Sequence, residues 1–148
     1  MFKNKKLLFA IPFMLIGVFM ILLGLGWLLS NEPWMLDQVA NEERLEMSFE
    51  ELFSVESNKT LPGYLKQIYK FFGLWVIIIG LFIVMFSRPK MIENKNIRFS
   101  LIICVGLMTY AGLILGHWLI PSSPFIYLGW LLIGMHSIAL FSMQIERN

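Results

Sequence analysis

Charge and thiols are what this chain has least of. Only 15% of its residues are charged and it carries a single cysteine, Cys104. One cysteine excludes an intrachain disulfide, a cysteine-cluster metal site and a paired-thiol redox centre. The shortage of charge says more. A soluble domain is about 25% charged, and too few polar residues remain here to cover a water-facing surface. The net charge of +2 is too small to indicate a nucleic acid partner. There is no HExxH motif, no phosphate-binding glycine loop and no nucleophile with an evident base. No catalytic residue, metal site or cofactor is therefore assigned, and enzymatic chemistry is not the favoured reading.

What the chain has in abundance is apolar sequence: 57% of the 148 residues are hydrophobic, and the mean hydropathy is +0.70. The apolar residues fall into runs of membrane-spanning length, since about 20 residues at 1.5 Å each cross the hydrocarbon. Spans are expected at about 7–29, 64–87, 99–120 and 125–143, with a flap at 30–63. The first run follows a short basic start, Lys3, Lys5 and Lys6. It is too long for a signal peptide and lacks a small-residue cleavage pattern. Pro121-Ser122-Ser123-Pro124 forms a tight turn between the last two spans. The expected fold is thus all-α: residues 1–148 as one domain, an antiparallel four-transmembrane-helix bundle with a short-helical extracytoplasmic flap between spans 1 and 2.

The flap holds eight of the ten carboxylates. Asn31 is expected to cap a helix that opens at Pro33, with Trp34, Met35, Leu36 and Val39 on its apolar side. Ser48-Phe49-Glu50-Glu51 matches a capping box, with Phe49, Leu52 and Phe53 as an apolar edge. Thr60 offers a further cap before Leu61-Pro62-Gly63. Two short amphipathic helices are expected, the alternative being a partly disordered acidic loop. Asn58-Lys59-Thr60 is a formal glycosylation sequon, a pattern short enough to arise by chance. Trp27 and Trp34 stand where an interfacial aromatic belt would lie.

Orientation follows from Lys and Arg near the span ends. The N-terminus, the 88–98 loop and the tail together carry eight basic and two acidic residues, against four basic and eight acidic in the flap and its flanks. The positive-inside rule then puts both termini in the cytoplasm and the flap outside, in a membrane of the bacterial inner-membrane type.

No acidic residue lies within a span, and Lys66 and Lys70 sit at the outer end of the second. That counts against an ion-coupled transporter, which relies on an embedded carboxylate. The embedded polar groups of most interest are His117 and His136. Gly106, Tyr110, Leu113 and His117 share a helical stripe, as do Gly129, His136, Leu140 and Met143, and a polar stripe on a lipid-embedded helix is expected to face the bundle interior. His117 lies four residues from the outer turn and His136 twelve residues past it. At 1.5 Å per residue this puts them roughly 12 Å apart in depth, which opposes joint ligation of a haem or metal. Cross-helix hydrogen bonding is the reading set beside a ligand or proton role. Gly17 and Gly24, and Gly73 and Gly80, are each seven apart and mark one face of their spans; Gly112 and Gly116 form a GxxxG with Thr109 on the same side. Ordinary packing within the chain and dimerisation are both open to these glycines.

The glycine-marked second span, Tyr69-Lys70-Phe71-Phe72-Gly73-Leu74-Trp75 … Gly80-Leu81, with the tight hairpin of the last two spans, resembles the DoxX-like group of small four-span bacterial membrane proteins. The resemblance implies a four-span fold with cytoplasmic termini. Members of that group are mostly of unknown function, some being subunits of membrane redox complexes, and no functional residue carries over. The acidic flap has no counterpart in that pattern.

Three readings follow. The leading one is a non-enzymatic accessory or scaffold subunit that meets a membrane-protein partner, or a second copy, through Trp34, Met35, Phe49, Leu52 and Phe53 of the flap. The second is a binding protein or carrier for a lipid or other apolar ligand, held near Tyr110, His117, Trp118 and His136. The third is a redox-complex subunit using a histidine.

Overall fold

The computed structural model describes residues 2–145, with side chains from residue 6 to residue 143. The side chains of Lys3 and Lys5, and Arg147, all used for orientation, lie outside the described residues. Among the described residues there are helices and no strands. Four helices are long and apolar enough to cross a membrane: α1 (Phe2–Leu29), α4 (Leu61–Phe86), α5 (Lys95–Leu119) and α6 (Phe125–Ile145), with the short α2 (Gln38–Leu45) and α3 (Phe49–Ser54) between the first two. The helices begin earlier than the uncharged runs do. Lys66 and Lys70 lie within α4, and Lys95 and Arg98 open α5, because a helix needs apolar side chains only where it meets hydrocarbon.

α1 packs against both α4 and α6, and α5 packs against α6, whereas α4 and α5 scarcely touch. The tightest contact is α1 on α4, and glycine makes it possible. A Cβ placed at Gly17 would lie 2.7 Å from the carbonyl oxygen of Gly80, and one at Gly24 would lie 2.6 Å from that of Gly73. Both pairs are reciprocal, at 2.7 Å the other way. The two seven-residue spacings therefore interlock, with one number rising as the other falls, so the helices run in opposite directions. Only residues without a Cβ permit backbones this close.

The α5–α6 contact is built differently, from side chains seated over glycines. His136 sits over Gly106, Leu113 over Gly129 and Ile126 over Gly116, each 2.8–2.9 Å from the Cβ position. Gly112 meets nothing within 4 Å, so the GxxxG is not a site of close backbone approach. The core lies where α1 meets its neighbours: Phe9, Phe13 and Ile16 are buried with Ile83, Val105 and Ala139, and Ile92 of the α4–α5 connection closes its lower end. Pro12 is buried inside α1.

The flap is folded. A 3₁₀ turn at Pro33–Asp37 leads into α2, which ends with Glu46 in the left-handed region (φ 56°). The Ser48–Glu51 capping box forms in full: Ser48 Oγ accepts from the Glu51 amide, and the Ser48 amide donates to the Glu51 carboxylate. Two expected caps differ. Glu32 is the residue before Pro33, with its own amide donating to Ser30 Oγ, so Asn31 is exposed and caps nothing. Thr60 precedes α4 in helical conformation, which turns its hydroxyl away from a capping bond.

Two tryptophans also depart from expectation. Trp27 is buried against Phe72 and Phe125, with ring centroids 5.0 and 5.3 Å away. Trp34 is buried within the flap. Neither faces outward as a belt residue would. Outward aromatics nearer the flap end of the helices include Tyr64, Phe71, Trp118, Tyr127 and Trp130.

Candidate functional site

The gap between α4 and α5 is the most distinctive surface. Ile79, Phe82, Ile83 and Phe86 of α4 face Ile97, Ser100, Leu101, Cys104, Val105 and Met108 of α5 across a groove of about 600 Å³. That volume lies within the usual 300–1,000 Å³ range of small-molecule sites. Its wall holds no charged residue; its only polar side chains are the Ser100 hydroxyl and the exposed Cys104 thiol. The groove exists because α4 gives its glycine face to α1. That leaves its bulky Phe and Ile residues toward α5, and these hold the two helices apart.

A second chamber, of about 300 Å³, continues the seam toward the flap and shares Met108 with the groove. All four long helices line it, through residues such as Leu23, Trp27, Val76, Thr109, Leu113 and Phe125. Thr109 Oγ1 donates to the Gly106 carbonyl at 3.1 Å. The indole N–H of Trp27, in contrast, is buried and has no acceptor.

The flap lies over the end of this seam that is remote from the α4–α5 connection. Its 3₁₀ turn rests on α1 and α4. On the other wall, the Ser122 hydroxyl of the α5–α6 turn donates to the Glu43 carboxylate of α2. Asn41 adds a tie to α4, its amide donating to Tyr69 Oη at 3.2 Å and to the Trp34 carbonyl. The Glu42 carboxylate accepts from the Gln38 amide side chain and from the backbone N–H of Phe49, joining α2 to α3. These bonds, that from Gln38 first, hold its pKa below the ordinary carboxylate value.

The side chains singled out in the sequence fall into separate settings. His136 is buried, with Nε2 2.9 Å from the Ile102 carbonyl. That nitrogen must be the protonated one, since a carbonyl only accepts, and Nδ1 is left without a partner. Tyr110 stands edge-on to His136 at 5.4 Å and lies 3.5 Å from Ser137 Oγ. Those two residues are together. His117 is exposed and pairs instead with Trp130, centroids 6.1 Å apart, while Trp118 is 74% exposed. The expected polar stripe on α5 is therefore rotated: Leu101, Val105, Thr109 and Leu113 form the buried face, because small and branched residues pack on α6 better than a tyrosine and a histidine do. Among the described residues no group of three His, Cys, Asp or Glu side chains could hold a metal ion.

In the flap, Trp34, Phe49 and Phe53 form an aromatic cluster with centroids 5.5–6.2 Å apart. Trp34 and Phe49 are buried there and Leu52 and Phe53 are half-buried, so of the five residues expected to meet a partner only Met35 is exposed. Met35, Leu36 and Val39 are outward apolar residues of the first half of the flap, as are Leu45 and Met47 near the end of α2. The groove residues were missed in the sequence. Their one signature is Ser100, Cys104 and Met108 at four-residue intervals, a run of small or soft side chains along one face of α5.

Comparison of the chain with protein-family models, with curated proteins and with solved structures finds no match.

Proposed function

We propose that this is an integral membrane protein of four antiparallel spans which binds a chain-bearing apolar molecule of the bilayer in the α4–α5 seam, without catalysing a reaction. Its termini and the 87–98 segment lie in the cytoplasm, and its flap stands outside. The observation that carries this reading is the seam itself: two apolar helix walls that scarcely touch and enclose about 600 Å³ free of charge. Between membrane helices there is no hydrophobic drive to close such a gap, because lipid chains are as apolar as the side chains. A gap to which α4 brings only large side chains is therefore filled by lipid or a lipid-like ligand. The resemblance to the DoxX-like group contributes no residue to this reading.

The test is native mass spectrometry of the purified protein. Wild type should carry lipid adducts that are reduced severalfold in Cys104→Trp, a change that fills the groove at an exposed position. Equal adducts in both proteins would overturn the reading.

A second reading, an accessory or scaffold subunit, is supported by the exposed Met35, Leu36 and Val39 on the folded flap. Replacing those three by serine and recovering the same stoichiometric membrane partner as wild type would remove it.

A further inference from the structure

We infer that the occupant of the α4–α5 groove is an anionic phospholipid drawn from the leaflet on the side of the α4–α5 connection; this rests on the seam reading proposed above. The groove runs along α5 from Ile97 to Met108, about 16 Å at 1.5 Å per residue. That is half of a hydrocarbon core about 30 Å thick, the depth of one leaflet, and so the reach of one lipid's chains.

The groove also has a defined end. Phe86 is the last residue of α4 and Ile97 lies in the first turn of α5, and both line it. The connection between them therefore stands at the mouth. It carries Arg88 and Lys90, and Lys95 opens α5 beside it, all exposed. Its one acid, Glu93, is taken by Lys6, whose Nζ lies 3.1 Å from the carboxylate. Lys90 and Lys95 have no acidic partner among the described residues. The mouth thus presents uncompensated positive charge beside a slot for uncharged chains. Basic clusters of this kind at the ends of membrane helices attract anionic head groups.

The opposite end has the reverse character. There the seam is roofed by the flap, with Glu43 on Ser122 and eight carboxylates in the segment. A phosphate would be repelled at that end. The two ends of the seam therefore select both the charge of the head group and the leaflet it comes from.

The lone cysteine in the groove wall provides the readout. The rate of Cys104 alkylation by N-ethylmaleimide would be measured on the full chain in detergent micelles titrated with phosphatidylglycerol or phosphatidylcholine. Phosphatidylglycerol is expected to protect Cys104 at about a tenfold lower mole fraction than phosphatidylcholine. In Lys90→Gln/Lys95→Gln, two exposed positions outside the packed core, the preference should collapse while protection by both lipids persists. Equal protection by the two lipids in wild type, or a preference unchanged in the double variant, would overturn the anionic assignment and leave the groove reading standing. No protection by either lipid would instead overturn the groove reading itself.

Discussion

The two sides of α4 present a sharp contrast. Toward α1, Gly73 and Gly80 bring the backbones so close that a Cβ would sit 2.7 Å from a facing carbonyl oxygen. Toward α5, Ile79, Phe82 and Phe86 of the same helix border an open groove. Hydropathy does not separate the two faces, since both are apolar. The difference is side-chain size. In lipid the gain from association comes from close packing and not from burial of oil away from water. A face with two glycines in register finds a partner, and a face of large side chains remains available to the bilayer.

The contrast can be broken most severely at the closed side. Gly80→Leu drives a side chain into the Gly17 carbonyl and the Ile21 side chain, and should destabilise the folded protein by about 3 kcal/mol or more. A thermal-unfolding series in detergent measures this; a melting point equal to wild type would mean that α1 and α4 are not packed as described. The flap, which roofs the seam from both walls, comes next. Trp34→Ala empties the cluster it shares with Phe49 and Phe53. A loss of about 3 kcal/mol is expected, confined to the flap and read as faster proteolysis between α2 and α4 with the long helices intact.

Gly112→Ala sharpens the contrast from the open side. Nothing lies within 4 Å of the new Cβ, so the variant should match wild type or gain up to about 1 kcal/mol from helix propensity. A loss comparable with that of Gly80→Leu would show a close partner at Gly112. The smallest effect concerns pH. The Glu42 pKa is lowered in the folded flap by its bonds from Gln38 and Phe49. Its contribution is therefore present above the unfolded carboxylate value and is lost as pH falls through the lower folded one. Proteolytic protection of the flap should fade in that acidic window and not at alkaline pH. In Glu42→Gln, which cannot titrate, that part of the pH dependence should vanish.

Much of this architecture was legible because the constraints on membrane helices are few and strong. Uncharged runs of sufficient length located the four long helices, and the Ser48–Glu51 spacing located α3, since a capping box is a local pattern that needs no tertiary context. Gly17 and Gly24, with Gly73 and Gly80, marked two faces, although only the structure shows that those faces meet each other. The failures have a common cause. Residue type and helical position alone point Trp27 and Trp34 to an interfacial belt and His117 to an inward stripe. Burial in the structure is decided by which neighbour has room, and that depends on helices far away in the chain. The groove was the least legible feature. Ile79, Phe82, Leu101 and Val105 belong to ordinary apolar spans, and a gap is a property of two helices that fail to meet, which the run of Ser100, Cys104 and Met108 on α5 alone does not announce.

The most direct test of the open seam is photocrosslinking of the protein in bilayers that contain a phospholipid with a photoreactive acyl chain, with the adducts mapped by peptide mass spectrometry. The account predicts adducts concentrated on the groove walls, at Ile79, Phe82 and Phe86 of α4 and at Ser100 and Cys104 of α5. Outward positions such as Leu107, Ile114 and Phe141 should be labelled only at the background level of lipid-facing surface. Labelling spread evenly over the outward positions, with none in excess on the groove walls, would contradict it.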